Sequence, residues 1–342
     1  MRSTQVRLAR RPVGEPQDSD FEIAEAELPE LEDGQVLLRV IHLSLDPYMR
    51  GRMSDAKSYA EPVGIGEVMV GETVCEVIDS RDESRAVGDI VTAYVGWQTH
   101  AVAPAAMTRK LVDPVAGLST YLGVLGMPGF TAYAGLLQIG RPQPGETVVV
   151  AAATGPVGSA VGQIAKIHGA RAVGIAGGPE KCRALIEEFG FDAAIDHRAP
   201  DFAEQLAAAV PDGIDVYFEN VGGHVADAVY PLLNKFARVP VCGLIANYNA
   251  TGPAEGPDRV PEFLRRVLTM SLTVRGFIQD EFVRAHYKDF LRDMSGWVAD
   301  GSVRYREDFV DGIENAPAAF RGLLRGTNFG KLIVNVSEPP AA

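Results

Sequence analysis

The chain has 342 residues, 46% of them hydrophobic, and a formal net charge of −13 at pH 7. This length exceeds the usual reach of one hydrophobic core, so two domains are expected, and the apolar content excludes a disordered chain. The acidic balance, with no Lys/Arg run, repels polyanions and argues against DNA and RNA as partners.

The opening "MRSTQVRLARRPVGEPQDSDF" carries basic residues but lacks the apolar core of a signal peptide, so a cytoplasmic protein is expected. From residue 1 to about 125, runs such as "QVLLRVIHLSL" (35–45), "ETVCEVI" (72–78) and "DIVTAYV" (89–95) have strand character and are punctuated by Gly and Pro. They predict an antiparallel, barrel-like β domain. The uncharged run 114–140 is broken by glycines and by a second proline, which argues against a membrane span and for a buried junction between domains.

From about 126 to 300 the rhythm changes. "ETVVVAA" (146–152), "RAVGIAG" (171–177), "DAAIDH" (192–197), "IDVYFENVG" (214–222), "ARVPVCGLI" (237–245) and "SLTVRGFI" (271–278) are strand candidates. Helices are expected at 157–168, 201–210 and 222–234, and another begins at Pro179, with Leu185, Ile186 and Phe189 on one face and Gly190 as its stop. This alternation predicts an α/β domain with a doubly wound parallel sheet. Residues 301–342 read as extended pieces around a short helix that return to the first domain or its cleft, and "SEPPAA" as a frayed tail. Cys75, Cys182 and Cys242 are scattered and form no CxxC pair, which fits a reducing compartment.

The stretch "VVVAAATGPVGSAVGQ" (148–163) runs from strand to helix through small residues. Ala153, Gly155 and Gly158 take the places of the dinucleotide fingerprint: tight turn, close pyrophosphate approach, helix-to-strand packing. The helix it opens offers an N-terminus to an anion. Where an acid would hold the free ribose hydroxyl of NAD, this chain has Gly177 and Gly178, with Lys181 and Arg183 following. A cation there favours a 2'-phosphate, so NADPH/NADP+ is the expected cofactor. The alternative for Lys181 is a solvated residue at a helix start, and Glu180 beside it is unfavourable to a phosphate.

Metal chemistry of the alcohol-dehydrogenase kind needs thiolate and imidazole ligands in the β domain, usually with a Gly-His-Glu segment and a four-cysteine lobe. Neither is present, His42 and His100 read as core or surface histidines, and no metal is expected. The proton donor or oxyanion stabiliser is then organic, and Tyr48 in "DPYMRGRM" and Tyr248 in "GLIANYN" are the candidates, with Arg50 and Arg52 adding positive potential. For either phenol the alternative is a packed ring with a satisfied hydroxyl.

"LDPYMRGRM", "GMPGFTAYAGLL", "AAATGPVGSAVGQIAKIHGARAVGIAGGPEKC", "DVYFENVGG", "VCGLIANYN" and "NFGKLIV" together resemble the zinc-free, NADPH-dependent alkenal/one reductases of the medium-chain dehydrogenase/reductase superfamily, over nearly the whole chain. The resemblance implies a GroES-like β domain (1–125), a Rossmann domain (126–300) and a homodimer. It implies hydride transfer from NADPH to the carbon-carbon double bond of an enone or enal. It further implies that Gly155, Pro156, Val157 and Gly158 touch the pyrophosphate and Lys181 the 2'-phosphate. Asn220, Cys242, Gly243, Leu244, Ile245, Ala246, Asn247, Tyr248, Phe277, Ile278, Gln279 and Asn328 would line the rest of the cofactor path, and Tyr48 and Tyr248 would meet the substrate carbonyl. Two departures stand out: His197 where many relatives have a tyrosine on the adenosine side, and Thr154 in place of a smaller residue. A quinone or carbonyl reductase, and a non-catalytic NADPH-binding protein, are the competing readings; residues 249–262 form either a lid or a passive loop.

Overall fold

The computed structural model describes residues 1–111, 116–253 and 256–340. In chain order, the first stretch carries β1 (Arg2–Leu8), β2 (Phe21–Glu27), β3 (Gln35–Ser44), α1 (Met49–Arg52), β4 (Thr73–Ser80), β5 (Ile90–Ala93), β6 (His100–Pro104) and β7 (Thr108–Lys110). The middle carries α2 (Met127–Ala134), β8 (Thr147–Ala151), α3 (Pro156–Ile167), β9 (Arg171–Ala176), α4 (Pro179–Glu187), β10 (Ala193–Asp196), α5 (Phe202–Ala209), β11 (Ile214–Phe218) and α6 (Gly223–Val229). It continues with β12 (Leu233–Val241), α7 (Val260–Thr269), β13 (Thr273–Gly276) and α8 (Asp280–Ala299). The chain closes with β14 (Glu307–Asp311), α9 (Ala316–Leu324) and β15 (Lys331–Asn335). Two compact units result: Met1–Gly123 together with the chain from Glu307, and Val124–Arg306.

In the first unit the sheet order is β14-β15-β3-β4-β5-β7, with β6 also on β3. β15 lies antiparallel on β3, and the expected antiparallel character gives way only where β14 runs parallel to β15. The sheet is therefore mixed. Its core gathers Val6, Leu8, Leu43, Trp97 and Phe320, with Trp97 stacked on Phe21 and edge-on to Phe320.

The second unit holds six parallel strands in the order β10-β9-β8-β11-β12-β13. Counted from β8 this is the doubly wound order, and the side on which successive strands are added switches between β8 and β11, where such sheets keep their ligands. The helix expected to reach 234 stops at Val229, because Pro231 removes an amide from the next turn, and β12 begins early at Leu233. α2, α7 and α8 lie outside the helices that the sequence predicts. α2 arises from the uncharged run, of which residues 114–115 lie outside the described residues; seven of its eight residues are buried, and Phe130 and Tyr133 pack on Phe290 of α8. Tyr133 also donates to Asp293 at 2.7 Å. No helix of the described residues is long and apolar enough to cross a membrane.

Candidate active site

The turn after β8 is built by backbone. Ala152 adopts a left-handed conformation (φ 51°), the Gly155 amide bonds back to the Ala152 carbonyl at 3.0 Å, and Pro156 starts α3 with its fixed φ. The Ser159 amide, bonded to the Gly155 carbonyl at 2.9 Å, begins the helical ladder, so Val157 and Gly158 lie in the first turn, where amides have no partner within the helix. A Cβ on Gly158 would stand 2.4 Å from the Ala152 oxygen and 2.7 Å from the Ala153 Cα. Helix and strand therefore approach as closely as a pyrophosphate-binding turn requires, and the residues fit the group expected of them. Thr154 is buried.

At the end of β9, a Cβ on Gly177 would meet Arg198 Nε at 2.8 Å and His197 Nε2 at 3.0 Å. Arg198 is a cation that the sequence reading missed; it follows β10 and is brought over β9 by the parallel pairing of the two strands. Asp196 anchors this rim by accepting from the amides of Gly178 and Arg198, both at 2.9 Å. Burial pushes its carboxyl up, but those two amides, together with the neighbouring His197 and Arg198 side chains, hold the group below the ordinary aspartate value. Gly178 caps α4 at φ 98°, a conformation that side chains rarely adopt, and Lys181 sits half-buried in the first turn of that helix. His197 Nδ1 lies 3.3 Å from Nε2 of His224 on α6.

The loops after β11 and β12 interlock at the carboxyl edge of the sheet. Asn220 donates its side-chain amide to the Ala151 carbonyl at 2.8 Å, tying the two strands that flank the switch point. Glu219, fully buried, accepts from the amides of Val221 at 2.7 Å and Gly222 at 2.9 Å; burial raises its pKa against the pull of those amides. The Cys242 and Gly243 amides bond the Glu219 carbonyl, Ile245 bonds that of Asn220, and Ala246 that of Val221. Leu244 and Asn247 cover Gly222, and the Tyr248 hydroxyl lies 3.2 Å from the place a Cβ on Gly243 would take. Burial pushes the Cys242 thiol up to about 12. After β13, the Phe277 ring packs edge-on to Phe218 and Phe282, so this predicted cofactor neighbour also belongs to the core. Ile278 donates its amide to Glu281, and Gln279, just before α8, donates its side-chain amide to the Asp280 carboxylate. Of the 249–262 segment, residues 254–255 lie outside the described residues.

In the mixed-sheet unit, Tyr48 precedes α1 and its hydroxyl is hydrogen-bonded to that of Tyr94. Burial, then the neighbouring Tyr94 and Asp46, hold Tyr48 protonated well above the ordinary phenol range, and burial pushes Tyr94 up to about 12. Beneath them runs a buried ionic network: Lys331 Nζ donates to Asp46 at 3.0 Å and to the Leu45 carbonyl at 2.7 Å, and Ser44 donates to the other Asp46 oxygen. Burial raises Glu72 to about 7, against the pull of Arg109. Arg50 donates to the Gly14 carbonyl at 2.8 Å, and Arg52 lies near enough to Tyr94 to ease its ionisation. Asn328, from the "GTNFGK" turn of the same unit, donates to the Gly330 carbonyl at 2.8 Å. His42 is buried beside Phe309, and Cys75, with Thr73 against its sulfur, is pushed up to about 12 by burial. Among the described residues, no three His, Cys, Asp or Glu side chains are grouped as a metal would require.

A parallel sheet in doubly wound order, a phosphate turn at its switch point and a separate mixed-sheet unit define a two-domain, dinucleotide-dependent oxidoreductase. The chain belongs to the medium-chain dehydrogenase/reductase family: the model described as the N-terminal domain of oxidoreductase matches residues 4–111, and that described as zinc-binding dehydrogenase matches residues 156–295. It is 54% identical to the NADPH-dependent curcumin reductase of Escherichia coli (strain K12) over 332 residues, 96% of each chain. It is 42% identical to prostaglandin reductase 1 of Bos taurus over 331 residues, 96% of this chain and 97% of the other. The crystal structure of CurA in complex with NADPH from Vibrio vulnificus is 53% identical and matches with a TM-score of 0.95, over 99% of this chain and 100% of the other.

Proposed function

We propose that this chain uses NADPH to reduce the carbon-carbon double bond of α,β-unsaturated ketones or aldehydes. Its relatives include NADPH-dependent reductases. Bound NADPH supplies a hydride to the β-carbon; the α-carbon then takes a proton, and the electron pair of the double bond passes through the enolate. The protein's part is to bind the cofactor on the α3 N-terminus, hold its 2'-phosphate at the Gly177–Lys181 rim, and present neutral phenols to the substrate oxygen. Tyr48 is the observation that carries this reading. A half-buried phenol that stays protonated is a donor matched to an oxygen gaining negative charge. Tyr248, at the carboxyl edge of the parallel sheet, is the second candidate donor.

The reading needs no zinc: the sequence lacks the Gly-His-Glu segment, and burial keeps Cys75 a thiol rather than a thiolate ligand. A homodimer is supported by β13, which ends the parallel sheet with all four residues exposed, and by Phe236, Leu264 and Leu268, exposed by 62%, 57% and 79%. Light scattering at one protomer mass would remove that assignment. A cytoplasmic location is supported by three free cysteines.

The test follows NADPH oxidation with a simple trans-enone and identifies the product by mass spectrometry. A saturated ketone is expected; an allylic alcohol would replace this reading with carbonyl reduction, and NADPH binding without turnover would replace it with a non-catalytic role. Tyr48→Phe and Tyr248→Phe, each binding NADPH normally, should lower kcat by about a hundredfold, the usual effect of one lost oxyanion donor. Unchanged turnover in either variant removes that tyrosine from the mechanism.

A further inference from the structure

The rim that would meet the 2'-phosphate contains two imidazoles in mutual contact, which is unusual equipment for holding a phosphate. His197 follows β10 and His224 stands in the first turn of α6; their facing nitrogens are 3.3 Å apart and their ring centroids 5.3 Å apart. The other nitrogen of His197 lies 3.0 Å from the place a Cβ on Gly177 would occupy, beside Arg198. His197 is therefore held at the end of β9, the place where a dinucleotide's second ribose is read, with His224 against its far side. Across the shared contact one nitrogen donates and the other accepts, so the neutral pair keeps a single proton between the rings. The accepting ring carries the pair's other proton on its outer nitrogen, so an added proton goes to the outer nitrogen of the donating ring; on His197 that nitrogen is Nε2, which faces Gly177.

The charges around the pair set the balance. Burial, then His224 and Arg198, disfavour the charged form of His197, and Asp196 opposes them. Asp196 accepts from the amides of Gly178 and Arg198 through one oxygen, Oδ1. From α4 the rim receives Glu180 and Lys181 in the first turn; α5 contributes the Phe202 ring, edge-on to His224; Asp227 of α6 is engaged by Arg259. Without a ligand His197 thus lies beside the Arg198 guanidinium and resists a positive charge. A phosphomonoester, which carries close to two negative charges at neutral pH, reverses that balance, whereas a ribose hydroxyl leaves it as it was.

We propose that His197 and His224 take up a proton when the 2'-phosphate binds, so that the preference for NADPH over NADH strengthens as the pH falls. The proposal rests on the cofactor reading above and adds a protonic term to it. An imidazolium supplies a charge-assisted bond to the phosphate that the neutral ring cannot match. By linkage, uptake approaching one proton makes the NADPH affinity fall by up to about tenfold per pH unit as the pH rises, while the NADH affinity stays level. The slope flattens near pH ~6, where the phosphate itself begins to protonate.

Calorimetric titration of NADPH and NADH into the full-length protein, from about pH 6 to about pH 8.5 and in two buffers of different ionisation heat, counts the proton directly. The wild type is expected to take one up with NADPH and none with NADH. His224→Gln and His197→Gln should abolish the uptake and flatten the ratio of the two dissociation constants. His197→Tyr, which keeps a hydroxyl donor but cannot charge, should retain NADPH binding while losing the slope. A pH-independent ratio in the wild type, or uptake that persists in all three variants, would overturn the proposal and leave the cofactor assignment standing. Equal affinity for NADPH and NADH at every pH would instead overturn the assignment itself, and the proposal with it.

Discussion

In the parallel-sheet unit the atoms that would meet the cofactor are mostly backbone: the turn at Ala152, the first-turn amides of Val157 and Gly158, and the amides arranged by Glu219. In the mixed-sheet unit the chemistry rests on side chains far apart in sequence, with Tyr48 against Tyr94 above Lys331, Asp46 and Glu72. The difference follows from what each part must do. A pyrophosphate is bound by oriented N–H dipoles and needs small residues so that the chain can approach. A developing enolate needs a neutral O–H held at one place, which in turn needs burial and partners. Substitutions should therefore act through sterics in one unit and through electrostatics in the other.

The largest effect is expected where the electrostatic design is deepest. Lys331 is 2% exposed and its ammonium is shared among Asp46 and two carbonyls. Lys331→Met fills similar volume but strands the buried carboxylate, and removing one partner of such a pair costs about 3 to 5 kcal/mol. Urea unfolding measures it, and a loss below about 1 kcal/mol would show that the pair behaves as a solvated surface bridge. Gly158→Ala tests the steric side. Its methyl would meet backbone atoms at 2.4 and 2.7 Å, which cannot swing aside, so α3 must move. Overpacking of this kind costs about 1 to 3 kcal/mol. NADPH affinity should fall with it, and normal affinity measured by fluorescence titration would show that the turn is not the phosphate site.

The same contrast explains what could be read from the sequence. Alternating strands and helices, the glycine spacing at 153–158 and the missing acid after β9 are local patterns, and they predicted the parallel sheet and its turn. The apolar rhythm of α6 continues past Val229, and only Pro231 signals the stop. α8 spans twenty residues, but Phe282, Phe290 and Met294 are its only buried positions and leave a thin apolar stripe in the sequence. Arg198 and His224 were invisible as rim residues: parallel pairing of β9 with β10 places one and the start of α6 the other, 27 residues apart from His197 in the second case. Lys331 and Asp46 are separated by 285 residues, and no periodicity links them. The "GKLIV" motif marked the place without revealing the partner.

Glu72 sharpens the electrostatic half through pH. Burial raises its pKa from 4.5 to about 7, so in that window the folded protein keeps a proton that the unfolded chain has released. Stability is greatest below the unfolded value, declines as the pH rises through about 7, and changes no further above it. Glu72→Gln should remove that decline, gaining about 1 to 3 kcal/mol over the wild type at pH ~8 and little at pH ~4.5. Parallel stability profiles for the two proteins would show that Glu72 titrates as an ordinary exposed carboxylate.

The smallest effect separates strain from function at the phosphate turn. Ala152 holds φ at 51°, a region that costs a residue with a Cβ about 1 to 2 kcal/mol. Glycine removes that strain but gives back about 0.5 to 1 kcal/mol in chain entropy. Ala152→Gly should therefore raise stability by about 0.5 kcal/mol while leaving NADPH affinity unchanged, because the first-turn amides of Val157 and Gly158, proposed to meet the pyrophosphate, stay where they are. Thermal melting and NADPH titration of one variant decide the matter together. A stability gain with weakened binding would mean that the strained alanine fixes the turn for the phosphate, and that even in the backbone-built unit one methyl group is part of the site.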